Sequence, residues 1–344
     1  MSTSIGLKRT SASTIKAGIL MTALCINSGT IFSQDPATAS RIPVISYSPV
    51  VLRMAGRHVD LQMKVSAPAS GVNLPVLLLS HGHGRSNFLS SFHGYGPLAD
   101  FFASHGFVVI QPTHENSKTL ALDPSYSEAP LFWKSRARDM RFIIDNLDKI
   151  IRTVPGLKGR VDLSQIAAIG HSLGGHTVAM LAGMEVTDPA NGEVINLAEP
   201  RLKARVIIGA PGASATLATF AKEHYPVLAG TNFNTMTLPA LVVNGDKDKS
   251  SNFSDTDNWR ADAYHLSPGP KCLLTVFDAG HLFGGVSGYD SVETSDENPE
   301  RVAFLCNTIL AYLHSQLNPK ESDWDDVKNN LNGSQGAKGK IDCK

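Results

Sequence analysis

A chain of 344 residues, 42% hydrophobic and 18% charged, lies in the ordinary globular range and is long enough to bury one large core. Its 31 Lys and Arg are balanced by 31 Asp and Glu, so no net field draws it to nucleic acid or to an anionic membrane surface. That balance excludes a polyanion binder working by bulk charge and favours a neutral substrate, with no nucleic-acid partner.

In chain order, Lys8, Arg9 and Lys16 precede the apolar run Ala17 to Ile26, and small and polar residues follow, which is the order of a secretory signal. Residues 1–39 are expected to be a signal peptide and leader, cleaved near Ser33 or Ala39, leaving a secreted or periplasmic protein. The alternative is a disordered extension on a cytoplasmic enzyme. The apolar run is about half of the ~20 residues a spanning helix needs, and no later segment is long and apolar enough, so no integral membrane segment is expected in the mature chain. Cys25 follows Leu24, where a lipoprotein signal calls for a small residue, which argues against a lipid anchor.

Residues 40–317 then read as one catalytic domain. Residues 42–67 alternate apolar and polar, as in Val59-Asp60-Leu61-Gln62-Met63-Lys64-Val65, the period-2 pattern of half-buried antiparallel edge strands. From Pro75 onward come short continuous apolar runs at 76–79, 107–110, 166–169, 206–208, 240–243 and 273–276, the pattern of strands buried on both faces. Helix-like stretches lie at 96–104, 132–151, 174–184 and 299–317, the last opening with Pro299-Glu300. The alternation predicts an α/β protein with a mostly parallel central sheet and helices on both faces. Residues 112–131 and 210–237 are longer connections on the carboxyl-end side of that sheet, where substrate-shaping loops belong. The polar tail 318–344 is expected to fray. Cys272, Cys306 and Cys343 would remain after cleavage, an odd number that permits one disulfide without saying which, and buried free cysteines are the alternative.

Gly170-His171-Ser172-Leu173-Gly174-Gly175 directly follows one apolar strand and directly precedes a helix-like run. A G-x-S-x-G turn in that setting holds its serine in a strained elbow, with the hydroxyl exposed at the sheet's edge. Ser172 is therefore the candidate nucleophile. A serine hydroxyl needs a base, and the base a carboxylate. Strand 240–243 runs into Asn244-Gly245-Asp246-Lys247-Asp248, and strand 273–276 into Asp278-Ala279-Gly280-His281. His281 is the candidate base. Asp248, three residues past Gly245, is the candidate acid, with Asp246 as a possible turn-capping residue and Asp278 as the remaining alternatives. The oxyanion donors are expected to be the amides of Leu173 and of His83, the latter in Ser80-His81-Gly82-His83-Gly84 after strand 76–79. His81 and His83 invite a metal, but no carboxylate or cysteine shares a known ligand spacing, so neither metal nor cofactor is expected. Trp133, Phe88, Phe92 and Phe283 are candidates for an apolar acyl pocket or for the core, and His114 and Glu115 for the cleft lining or for structure.

These residues, together with Leu98-Ala99 and Ser104-His105-Gly106-Phe107-Val108-Val109, resemble the platelet-activating-factor acetylhydrolase and dienelactone-hydrolase-like branch of the α/β-hydrolases over roughly residues 45–317. A looser likeness extends to chlorophyllases and cutinase-like polyester hydrolases. The resemblance implies a cofactor-free esterase on the α/β-hydrolase fold. It is incomplete: in the acetylhydrolases the acid follows the strand after the nucleophile's helix, and here Val206-Ile207-Ile208-Gly209-Ala210 ends in Pro211-Gly212 with no Asp. The resemblance therefore implies an acid moved to Asp248, as in dienelactone hydrolases and polyesterases, with the choice against Asp246 and Asp278 still open. The dienelactone hydrolases proper use a cysteine nucleophile, which this chain lacks. The expected activity is hydrolysis of a small-molecule or polymer carboxylic ester. The alternatives are another acyl-transfer enzyme (thioesterase, peptidase or acyltransferase) and a non-catalytic ligand-binding homologue.

Overall fold

The computed structural model describes residues 41–344, so the expected signal and leader lie outside the described residues. The strands are β1 Val44–Leu52, β2 Leu61–Pro68, β3 Leu74–Ser80, β4 Val108–Pro112, β5 Val161–His171, β6 Glu185–Thr187, β7 Val194–Ile195, β8 Leu202–Ile208, β9 Thr231–Asn232, β10 Ala240–Gly245, β11 Lys271–Val276 and β12 Gly339–Cys343. The helices are α1 Asn87–Ser90, α2 Gly96–Ser104, α3 Trp133–Asp145, α4 Leu147–Thr153, α5 Leu173–Leu181, α6 Thr219–His224, α7 Asp262–His265, α8 Pro299–Leu317 and α9 Trp324–Gly333. Nine strands form one sheet in the order β1-β2-β4-β3-β5-β8-β10-β11-β12, and β7-β6-β9 form a small second one. From β4 to β11 every neighbour is parallel, while β1, β2 and β12 pair antiparallel. Only β1 of the expected edge pair is an edge, since β2 sits between β1 and β4.

Alternation along the strands explains the two cores. Val76, Leu78, Ile166, Ala168, Ile207 and Val242 face α3, α4 and α5. Leu77, Leu79, Ala167, Ile169, Val206 and Val243 face α2, α8 and α9. Strands buried on both sides must be apolar at consecutive positions, which is why their sequences read as unbroken runs. The expected helix over 132–151 is two helices. Asn146 breaks it, its side-chain amide donating to the Phe142 carbonyl at 2.9 Å and so competing with the backbone ladder. Among the described residues no helix is long and apolar enough to cross a membrane.

The tail expected to fray is instead ordered. Trp324 at the start of α9 packs edge-on against Tyr312 of α8, with ring centres 5.4 Å apart. β12 extends the sheet beyond β11, burying Gly339 and Ile341 and exposing Lys340 and Asp342. The Asn332 side chain bonds both the amide and the carbonyl of Ile341. An edge strand buries one face only, so its composition stays polar and its sequence resembles a loose tail. A disulfide joins Cys272 to Cys343 across this pair, and Cys306 is free and buried. The bridge closes a loop of 71 residues. Cys343→Ser is therefore expected to lower unfolding stability by about 2–4 kcal/mol, read from the denaturant midpoint. An unchanged midpoint would show that the ladder alone holds the tail.

Candidate active site

β5 ends at His171, and α5 begins at Leu173, leaving Ser172 as a single-residue elbow at φ 55°, ψ −119°. A non-glycine residue there costs about 1–3 kcal/mol, a strain that surrounding structure must hold. Its amide is held by the Ile208 carbonyl at 2.8 Å, and its carbonyl accepts the His176 amide at 3.1 Å. Close packing beneath the elbow needs glycine, because a Cβ on Gly174 would stand 2.0 Å from the Ser80 carbonyl oxygen.

The turns after β10 and β11 bring two further groups to this elbow. His281 Nε2 lies 3.0 Å from Ser172 Oγ, and His281 Nδ1 lies 2.8 Å from Asp248 Oδ2. A carboxylate only accepts, so Nδ1 carries the proton and Nε2 offers its lone pair to the serine hydroxyl. The imidazole is thus placed to take that proton. The other Asp248 oxygen accepts Arg260 Nε–H at 2.7 Å, and Arg260 Nη1 donates to the Gly209 carbonyl at 2.8 Å. Gly209 has a φ of 54°, and a Cβ there would approach Asp248 Oδ2 to 3.2 Å and His281 Nδ1 to 3.4 Å. The strand end that lacks an Asp is therefore the floor under this pair.

Of the three candidate acids, only Asp248 meets the histidine. Asp246 accepts the Ala279 amide at 3.3 Å, a turn-holding bond between the two loops. Asp278 pairs on the surface with Lys247. Burial pushes the Asp248 carboxyl up, but the charges of His281 and Arg260 outweigh burial and hold it at about 2. Burial is also the main effect lowering the His281 pKa, joined by Arg260 and opposed by Asp248. The neutral imidazole thus dominates already below the ordinary value of 6.5. The limb of kcat/KM governed by this base is expected to rise with pH, with a midpoint below 6.5, and to be level through neutrality. A pH–rate profile with its midpoint above 7 would contradict this.

The turn after β3 lies beside α5. Two planes of its backbone are pinned. The His81 carbonyl accepts Arg136 Nη2–H, while the Gly82 amide donates to Tyr95 Oη at 2.9 Å. The Gly82 carbonyl accepts His81 Nδ1–H at 2.7 Å and the Asn116 amide at 3.4 Å. The Gly82–His83 peptide is trans, so the His83 N–H points away from those partners, and among the described residues it has none. The Leu173 N–H, at the first position of α5, has no intrahelical acceptor either. His83 and Leu173, the two expected oxyanion donors, line the same pocket as Ser172, and among the described residues neither amide hydrogen is committed.

Arg136 is fully buried, donating also to Asn116 Oδ1, Ser80 Oγ and Thr177 Oγ1. His114 bonds Ser80 and Asp139, and Glu115 bonds His58 and Ser135, so both are structural props and neither lines the cleft. His81 has both ring nitrogens engaged, Nδ1 on the Gly82 carbonyl and Nε2 on the His114 amide, which leaves no lone pair for a metal. Among the described residues, no group of three His, Cys, Asp or Glu is placed to hold one.

A pocket of about 340 Å³ opens at Ser172 and His281. Its apolar walls are Leu89 from α1, Leu131, Pro211, Tyr225 and Leu228 from the two long connections, and Phe253 from the loop after β10. The aromatic residues expected as an acyl pocket are elsewhere: Trp133, Phe92 and Phe283 are core, and Phe88 is exposed. Sequence reasoning also missed Tyr95, Asn116, Arg136 and Arg260. None belongs to a spacing pattern, and each reaches the site only through tertiary contact. No protein-family model and no curated protein matches the chain.

Proposed function

We propose that this chain is a serine carboxylic-ester hydrolase of the α/β-hydrolase type, acting outside the cytoplasm on a neutral lipid-like, polyester or small ester. The observation that carries the reading is the hydrogen-bonded series Ser172 Oγ, His281, Asp248, at 3.0 and 2.8 Å, opening on an apolar pocket. A nucleophile bonded to a base, itself oriented by an acid, is the arrangement that acyl transfer requires. The strained elbow and two uncommitted amides support it. The Cys272–Cys343 bridge and the N-terminal sequence pattern support an oxidising location.

In this mechanism His281 Nε2 takes the Ser172 proton as Oγ attacks the ester carbonyl. The carbonyl oxygen becomes an oxyanion held by the His83 and Leu173 amides. The imidazolium then protonates the departing alcohol, leaving an acyl-serine. Water, deprotonated by His281, attacks that acyl group, and the serine leaves with its proton restored. No step calls on a cofactor.

The test is a panel of p-nitrophenyl esters of rising acyl length, run beside matched thioesters and anilides, with fluorophosphonate labelling of Ser172. Ester turnover greatest for acyl chains that fit the pocket, together with labelling, is the expected result. Turnover confined to thioesters or anilides would move the protein to another acyl-transfer class. Absence of both turnover and labelling would leave a ligand-binding homologue.

A further inference from the structure

Tyr95 and His171 are buried polar side chains that the mechanism above does not use. His171 Nε2 lies 2.8 Å from the main-chain carbonyl of His281. A carbonyl only accepts, so Nε2 carries the ring's proton and Nδ1 is left as an acceptor. The group facing Nδ1, at 3.0 Å, is the Tyr95 hydroxyl, which donates its hydrogen there in preference to its other acceptor, the Leu89 carbonyl at 3.4 Å. That hydroxyl's lone pair in turn accepts the Gly82 N–H at 2.9 Å. One directed chain of bonds thus runs from Gly82 through Tyr95 and His171 to the His281 backbone, and every donor in it has its acceptor.

The position of this chain matters more than its existence. Gly82 immediately precedes His83, whose amide is an oxyanion donor, and His281 is the base. His171 immediately precedes the nucleophile and also lays its ring against that of His281, centre to centre 4.8 Å. Burial holds His171 neutral, with its pKa lowered to about 3, so the bond directions do not change near neutral pH. An apolar residue of similar size would fill the same space, but would leave the Gly82 N–H and the His281 carbonyl buried and unpaired.

We infer that Tyr95 and His171 are positioning residues, which tie the oxyanion loop and the base loop to the nucleophile elbow so that all three parts keep one geometry. This rests on the proposed esterase reading. Small misplacements of reacting groups lower turnover steeply, by up to about 10²-fold per ångström. The pair therefore acts on kcat more than on substrate binding.

The experiment uses the full chain and three variants, Tyr95→Phe, His171→Leu and His171→Gln, with kcat and KM measured separately on a p-nitrophenyl ester. The rate of fluorophosphonate labelling and the thermal midpoint are measured alongside. Tyr95→Phe removes one oxygen and is expected to lower kcat about tenfold, and His171→Leu about 10²-fold, with KM within about twofold. His171→Gln keeps a distal N–H for the His281 carbonyl and is expected to recover most of the loss. Labelling should slow in parallel. A purely structural role would lower the thermal midpoint and leave kcat, measured well below it, at the wild-type value in all three, which would overturn the inference. A His171→Gln protein as impaired as His171→Leu, at equal stability, would overturn it too. A wild-type protein that neither turns over esters nor labels would defeat the esterase reading itself, and the inference with it.

Discussion

Ser172→Ala is expected to lower ester turnover by at least about 10⁴-fold while leaving the protein folded. The hydroxyl removed is the group at the elbow that would carry the acyl intermediate of the proposed reaction, and its replacement changes little else. Ser172 is held by its backbone, through the Ile208 carbonyl and the His176 amide, and those bonds survive in alanine. Among the described residues Oγ has its hydrogen bond with His281 alone, at 3.0 Å, so the imidazole loses a partner but keeps Asp248. The positive φ remains strained for alanine as for serine, so stability should hold to within about 1 kcal/mol. His281→Ala should bring turnover to the same floor, and the double variant should fall no further, because residues that act as a unit do not lose activity additively. Residual turnover in all three would then report the His83 and Leu173 amides and the pocket. Initial rates on a p-nitrophenyl ester, corrected for the spontaneous reaction, decide the matter. Turnover near wild type in a verified Ser172→Ala protein would remove Ser172 from the chemistry.

β3, β5 and β10 announce themselves because both faces are buried, and burial on both faces demands consecutive apolar residues. The elbow is legible because a Cβ on Gly170 or on Gly174 would stand 2.0 Å from a backbone oxygen, so the motif must keep glycine at both positions. β12 was not legible, since an edge strand with one buried face alternates over only five residues and is held by Asn332 and a disulfide partner 71 residues away. The small sheet β7-β6-β9 has strands of two or three residues, too short for any period to show. The choice among acids stayed open for a related reason. Asp246 and Asp248 stand two apart in one turn, and what separates them is which backbone groups that turn ties down. The Lys247 amide bonds the Ala279 carbonyl and the Asp248 amide bonds the Gly245 carbonyl, which aims Asp248 at the histidine. Arg260, the second partner of that carboxylate, comes from a loop with no recurring pattern and was invisible until the chain was folded.

Asp248→Asn is expected to lower kcat by about 10⁴-fold, equivalent to about 5.5 kcal/mol of transition-state stabilisation. The carboxylate accepts on both oxygens, His281 Nδ1–H on one and Arg260 Nε–H on the other. An amide has a single acceptor oxygen, so one bond must fail whichever way it turns. With its oxygen toward Arg260, the amide nitrogen faces His281 Nδ1 and can only donate. The imidazole must then move its proton to Nε2, where it can no longer accept from Ser172. With its oxygen toward His281, two donors oppose each other at Arg260 in a buried site, and the loop 246–260 that carries Phe253 into the pocket is pushed out. The first arrangement stops catalysis and the second loosens the site, so activity falls in either case. Asp246→Asn is the control, because an amide oxygen can accept the Ala279 N–H as the carboxylate does, and turnover should stay near wild type. Asp278→Asn touches only an exposed ion pair with Lys247 and should likewise be nearly silent. The sign of the pH effect follows from the same contacts. Asp248 is held at about 2 against an ordinary 3.8, so its bonds stabilise the folded protein fully above pH 4 or so and are lost as pH falls through about 2. Acid unfolding midpoints of the three Asn variants should therefore separate Asp248 from the others, with Asp248→Asn flattening the loss of stability in that window. A large kcat loss in Asp246→Asn with Asp248→Asn unaffected would reassign the acid.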